Sequence, residues 1–332
     1  MSDFVQFPLE DYDRHAFSGF HATDGYTPGN ALAMMWFAQL AYEVDTGGAN
    51  ATAAKIDAIR TRFGFEPVTT FRGQAVSLRA TFNTTGVFGE RTDAVVLAFA
   101  GTDPAVLETV VTDFTPRIDP AKHTHTGFQA AFDAVIAHVD AAIALSRQSR
   151  KPLLVSGHSL GAALAGLAAL HAVQAGTPPM AVYGYGMPRV GNGDFQTAYN
   201  AALGRITYRH VHGRDIVARV PLNAMGYRHV GRVIACDADA TFGAATLSPA
   251  ESDEPDATLD YLRQLLPAVS LQGGANLLAG LALGGAPTQQ TLLTAFSRML
   301  QPPGLGPLGP WFRLLPPPIR EHLQDRYIKA LS

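Results

Sequence analysis

Apolar positions follow two rhythms along this chain, and the rhythms alternate. Residues 1–30 show neither; they read as an irregular arm with turn signals at Asp24-Gly25 and Pro28-Gly29. Asn30 then stands as the cap of a helical stretch, ALAMMWFAQLAYEV, and a second helix is expected from Ala51 to Arg62. Extended apolar runs follow at Ala75 to Phe82 and Ala94 to Phe99, which predict two strands joined by a turn around Gly86 to Thr92. Phe128, Phe132, Val135, Ile136 and Val139 recur at helical spacing, so one helix is expected from Phe128 to Ser146. Next come a strand at Leu153 to Ser156, a small-residue helix at Ala162 to Gln174, and strands at Met180 to Gly184 and Ile206 to Val211. Strand-helix-strand alternation of this kind predicts an α/β protein, with a mainly parallel central sheet and helices on both faces.

Past Cys236 the pattern changes. Ser248 to Thr258 is acidic and contains proline, Gln264 to Ser297 carries no charged residue, and Gln301 to Pro318 is rich in Pro, Gly and Leu around Trp311 and Phe312. None of this fits a further α/β unit. The expectation is a single domain over residues 1–332, with 240–315 as an apolar, cap-like insertion; the alternative is a hydrophobic extension packed on the core. The most apolar run inside it, Ala275 to Ala286, has 12 residues, and a membrane-spanning helix needs about 20.

Composition narrows the classes. Hydrophobic residues make up 47% of the 332 positions and charged residues only 16%, against about 25% in average proteins, which excludes a disordered chain. Lys plus Arg total 25 against 28 for Asp plus Glu, so electrostatics give no reason to expect nucleic acid as a partner. The single cysteine, Cys236, can form no internal disulfide, and no Cys/His set has zinc spacing. No metal or cofactor is implied. The opening MSDFVQFPLEDYDRHAF has neither a basic stretch nor an apolar one. A cytoplasmic location is therefore expected, with secretion the expectation if the sequence is a trimmed mature form.

The strongest chemical signal is Gly157-His158-Ser159-Leu160-Gly161, with a strand before it and a helix after it. A chain reversing this sharply strains the serine backbone, and the two glycines remove side chains that would collide. The hydroxyl then stands at the carboxyl end of the sheet, beside a helix N-terminus with unpaired N–H groups and a positive dipole. A serine nucleophile needs a base and an acid that orients the base, in the chain order serine, acid, histidine. Asp215 follows the strand at Ile206 to Val211 and is the expected acid; Asp194, in GNGDF, reads as a helix start. For the base, His322 lies at the start of a C-terminal helix behind Pro316-Pro317-Pro318, and His229 is the alternative. His158, His171, His210 and His212 read as structural or surface histidines. The N–H of Leu160 is the expected first oxyanion donor. Thr102, in Ala100-Gly101-Thr102-Asp103 after a strand, is a candidate for the second.

Together these motifs resemble the class 3 lipase family, a group of α/β-hydrolases that includes fungal triacylglycerol lipases. GHSLGAALA is similar to its serine box, YGYGMPRVGNGDF to its P-R-V-G-N segment, HVHGRDIVARVP to the stretch with its catalytic aspartate, and EHLQDRYIKAL to its terminal histidine box. THTGFQAAF, with His125, resembles the segment ahead of the helix that precedes the serine strand. The resemblance implies an α/β-hydrolase fold, catalysis by Ser159, Asp215 and His322, and oxyanion donors at Leu160 and Thr102. It departs from the family at Ala100, where arginine is usual, and in PAVLETVVTDF, which lacks the usual tryptophan before Asp113. The implied function is hydrolysis of apolar acyl esters without a cofactor, with lipid-interface contact through the apolar insertion. A polyester or feruloyl-type esterase, an acyltransferase and a non-catalytic hydrolase-like binding protein are the alternatives.

Overall fold

A computed structural model describes residues 6–44, 49–66, 68–77, 80–101, 117–242 and 320–332. The first helix, α1 (Pro28–Tyr42), starts three residues before the apolar run that predicts it, with Pro28 at its first position. Thr27 is its cap, the hydroxyl accepting from the Asn30 amide at 3.0 Å. Asn30 is therefore no cap. It is fully buried, and its side chain bonds both the N–H and the C=O of His21, fastening the arm to the helix. Helix α2 (Ala49–Phe63) follows.

Strands β1 (Thr69–Ser77) and β2 (Ala80–Glu90) form an antiparallel hairpin with Ser77 opposite Ala80. The expected strand at Ala75 to Phe82 is thus two strand ends; of the expected turn around Gly86 to Thr92, Gly86 to Glu90 lie inside β2 and the reversal into β3 falls at Arg91 to Ala94. Gly86 signals no reversal: it pairs with Phe71 and Phe99, and a side chain there would collide with the Phe71 ring. Strands β3 (Val95–Phe99), β4 (Leu153–His158) and β5 (Ala181–Tyr185) come next; β6 (Gly191–Asn192) stands apart, and β7 (Thr207–His212) continues the sheet. The pair β8 (Tyr227–Arg228) and β6 is antiparallel, and β9 (Arg232–Cys236) closes the edge. The large sheet runs β1-β2-β3-β4-β5-β7-β9, parallel from β3 onward. Every residue of β3, β4 and β5 is buried, as both-face covering requires.

Two cores fill the faces. Helix α1, the arm residues Tyr12, Phe17 and Phe20, and α7 (Gln324–Leu331) share one apolar cluster. Helices α3 (Thr126–Asp133), α4 (Ile136–Ser149), α5 (Leu160–Gln174) and α6 (Gly193–Leu203) contribute to the other. The single helix expected from Phe128 to Ser146 is two helices bent by 62°. The break at Ala134-Val135 lets Val135 sit on Gly73 of β1, where a Cβ would lie 2.5 Å from Val135 Cγ1. Helix α5 is apolar on all sides and almost wholly buried, as a helix at the centre of a domain must be. No helix among the described residues is long and apolar enough to cross a membrane. The expected insertion at 240–315 lies outside the described residues beyond Phe242, which packs against His210, His212 and Tyr327.

Candidate active site

The carboxyl ends of β4, β5 and β7 open at the same end of the sheet, the end where open parallel sheets hold their ligands. Ser159 follows β4 with φ 59° and ψ −130°, a left-handed backbone that side chains enter only under constraint. The constraint is visible. The Ser159 amide donates to Tyr185 O at 2.8 Å, and Ser159 O accepts from Ala162 at 3.0 Å as helix α5 begins. A Cβ on Gly157 would collide with the Gly161 backbone, and one on Gly161 with the carbonyls of Phe99 and Ala100. Gly101, two residues past β3, packs directly on the serine: a Cβ there would lie 2.5 Å from Ser159 Cβ. Leu160 is the first residue of α5, so its N–H has no acceptor within the helix. Thr102, the other predicted oxyanion donor, lies outside the described residues.

Asp215 follows β7 and is fully buried. Its Oδ1 accepts from the Val217 amide at 2.8 Å. Its Oδ2 accepts from His322 Nδ1 at 2.8 Å and from the Tyr327 hydroxyl at 2.6 Å. Burial alone would raise the Asp215 pKa, but the His322 imidazole and these donors outweigh it and hold the carboxyl below its ordinary range. Burial, followed by the Asp215 charge, in turn pushes the Tyr327 phenol far above its usual value, so it stays a donor.

His322 is 2% exposed and Ser159 1%. His322 Nε2 and Ser159 Oγ are both buried, and neither has a hydrogen-bond partner among the described residues. The His322 ring stacks on that of His158, the residue before Ser159, with centroids 4.7 Å apart. His158 is buried, neither a surface group nor a bystander. A carbonyl can only accept, so His158 Nε2 carries the hydrogen and donates to His322 O at 2.8 Å. Its Nδ1 then accepts from the Tyr42 hydroxyl at 2.7 Å. Burial, followed by the His322 ring, drives the His158 pKa down to about 3, which keeps that tautomer neutral.

Asp215 and His322 thus meet, and the alternatives do not join them. Burial drives the His229 pKa well below its ordinary value, and its ring bonds the Ala218 backbone. Asp194 sits in the first turn of α6, 3.4 Å from His123. His171 pairs with Asp140 at 2.7 Å on the surface, and His210 is wholly buried. His125 caps α3, its Nδ1 accepting from Gly127 and Phe128. Sequence reasoning missed the supporting set: Tyr42, Tyr327 and Gly186. Only Tyr327, within the same short box as His322, left a local trace. No cluster of His, Cys, Asp or Glu among the described residues could hold a metal ion.

Gly186 makes a sharp prediction. It has φ +57°, and a Cβ there would lie 2.6 Å from Asp215 Oδ2 and 2.8 Å from His322 Nδ1. Gly186→Ala should cost about 2–4 kcal/mol in stability from left-handed strain and overpacking. Chemical unfolding measures this, and an alanine variant as stable as the parent would contradict the geometry.

The parallel sheet with helices on both faces and the strained serine turn are those of the α/β-hydrolase fold. Solved structures agree on the fold: lipase II from Rhizopus niveus superposes with TM-score 0.52 at 22% identity, covering 69% of this chain and 93% of that one. A fungal lipase in complex with an inhibitor gives 0.53 at 20% identity over 70% and 90%. Residues 96–225 match the family model for lipase (class 3), so the resemblance read from the motifs holds over that segment. A secreted mono- and diacylglycerol lipase 1 of Fusarium solani is 40% identical over 107 residues, 32% of each chain. Secreted mono- and diacylglycerol lipase A of Penicillium camembertii is 35% identical over 144 residues, 41% of this chain and 46% of that one. The chain spans about a third to a half of the length of these curated relatives.

Proposed function

We propose that this protein is a serine carboxylic ester hydrolase, a lipase acting on apolar acyl esters through Ser159, His322 and Asp215. The observation that carries the reading is the pairing of His322 Nδ1 with a buried Asp215 at the sheet end where Ser159 is held at positive φ. Ser159 Oγ attacks the ester carbonyl while His322 Nε2 takes its proton. Asp215 keeps the hydrogen on Nδ1 and balances the imidazolium. The tetrahedral oxyanion is held by the Leu160 N–H and by Thr102, each donor contributing about 3 kcal/mol. Collapse breaks the ester C–O bond as His322 protonates the departing alcohol. Water, deprotonated by the same nitrogen, then cleaves the acyl-enzyme and restores the serine.

An apolar substrate is supported by the relatives, which are named mono- and diacylglycerol lipases. It is also supported by the charge-free run from Gln264 to Ser297, which we assign to lipid-interface contact. The relatives are named secreted. They lend the cytoplasmic expectation no support, and we infer secretion. A fluorophosphonate probe should label Ser159 stoichiometrically, and hydrolysis should favour long-chain p-nitrophenyl esters and emulsified triolein over the acetate. An unlabelled protein would overturn the mechanism; a preference for acetate would overturn the substrate class.

A further inference from the structure

We infer that Glu321 is a positioning residue for His322, an inference that rests on the hydrolase reading above. Glu321 is 5% exposed, unusual for a carboxylate, and it points at the loop that leads into Asp215. Its Oε2 accepts from the backbone N–H of Arg214, and its Oε1 lies 3.8 Å from the Arg214 guanidinium. Gly213 makes room for it: a Cβ there would lie 2.5 Å from Oε2. The outcome is two adjacent residues bonded to two adjacent residues, Glu321 to Arg214 and His322 to Asp215.

The doubling has a mechanical meaning. A single hydrogen bond from His322 Nδ1 to Asp215 is a pivot, and a ring held only there can swing and carry Nε2 away from Ser159. A second bond on the neighbouring residue removes that freedom at the backbone. Two carbonyls of the same turn are held as well: Glu321 O accepts from His212 Nδ1 at 3.3 Å, and His322 O from His158 Nε2 at 2.8 Å. Of these holds, only the Glu321 carboxylate ties the histidine turn to the peptide preceding Asp215. Glu321 therefore sets the distance and angle at which the base meets the nucleophile, without touching substrate.

The test uses the full chain and p-nitrophenyl butyrate. Glu321→Ala should lower kcat about 10- to 100-fold, the size of effect a small misplacement of reacting groups produces, with KM unchanged. Glu321→Asp keeps the charge but cannot reach the Arg214 amide, and it should lose a similar factor. Glu321→Gln keeps an acceptor for that amide and should restore kcat to near the parent value. The far-downfield proton resonance of His322 Nδ1–H should broaden in the Ala and Asp variants and stay sharp in the Gln variant. Should the Ala protein fail to fold, the Asp and Gln variants decide alone. Parent-like kcat in the Asp variant, equal losses in the Asp and Gln variants, or an unchanged resonance alongside lost activity would each overturn the inference. Ser159→Ala and His322→Ala run in the same assay separate the two failures. If those two retain turnover, the hydrolase reading falls; if they are dead while Glu321 variants are fully active, only the positioning role falls.

Discussion

Ser159→Ala should abolish ester turnover: kcat is expected to fall on the order of 10⁴- to 10⁶-fold, with the fold intact. The magnitude is that of removing a nucleophile from a three-residue unit, and His322→Ala should cost nearly as much alone as in combination with it. The fold survives because the exchange deletes one oxygen that has no hydrogen-bond partner among the described residues and keeps the Cβ in place. Backbone strain at φ 59° is the same for serine and alanine, so it does not change sign. Steady-state kinetics with p-nitrophenyl esters, alongside chemical unfolding, checks both halves. Turnover within tenfold of the parent would remove Ser159 from the chemistry.

The second large effect is on stability. His158, His210 and His229 are wholly buried and neutral. Burial drives the first two down to about 3 and the third well below its ordinary value. In the unfolded chain each titrates near 6.5. Below that pH the unfolded state binds protons the folded state refuses, so stability falls as pH falls and is regained as pH rises through 6.5. At pH 5 each histidine should cost roughly 2 kcal/mol, on the order of 6 kcal/mol for the three, a large share of a domain's 5–15. Asp215 acts at lower pH: its carboxyl is held below the ordinary range, so its contribution is intact above that range and lost only as pH drops beneath it. Urea unfolding at pH 7.5, 6 and 5 should show a steep decline with uptake of about three protons at the lowest pH. A flat profile would mean that these rings are hydrated or protonated in the native state.

What could be read from the chain follows from how local each signal is. The serine turn announces itself within five residues, Gly157 to Gly161, because the strain and its relief are neighbours in sequence. The parallel strands β4 and β5 are legible because burial on both faces makes them largely apolar runs, whereas β7, TYRHVH, buries Arg209 and His210 among its apolar residues. His322 is set apart from His229 by its place behind Pro316-Pro317-Pro318, at the start of the last helical stretch. Tyr42, His158 and Glu321 were invisible as partners, since their bonds cross 116, 164 and 107 residues and leave no periodicity behind. Gly86 misled because glycine marks a close approach as readily as a turn, and the Phe71 ring that demands it lies on another strand. The α3–α4 break was hidden by an apolar spacing that runs unbroken through it.

Glu321-Arg214 and His322-Asp215 have one more consequence. They close a long excursion of the chain at its root, between partners 107 residues apart. Lengthening such an excursion is inexpensive, about 0.6 kcal/mol per doubling. Part of that stretch is itself structural: the Val217 amide holds Asp215, β9 completes the sheet and Phe242 packs on Tyr327. The pairing of base and acid is therefore fixed by residues at the two ends of the stretch, and changes of sequence beyond Phe242 need not disturb it.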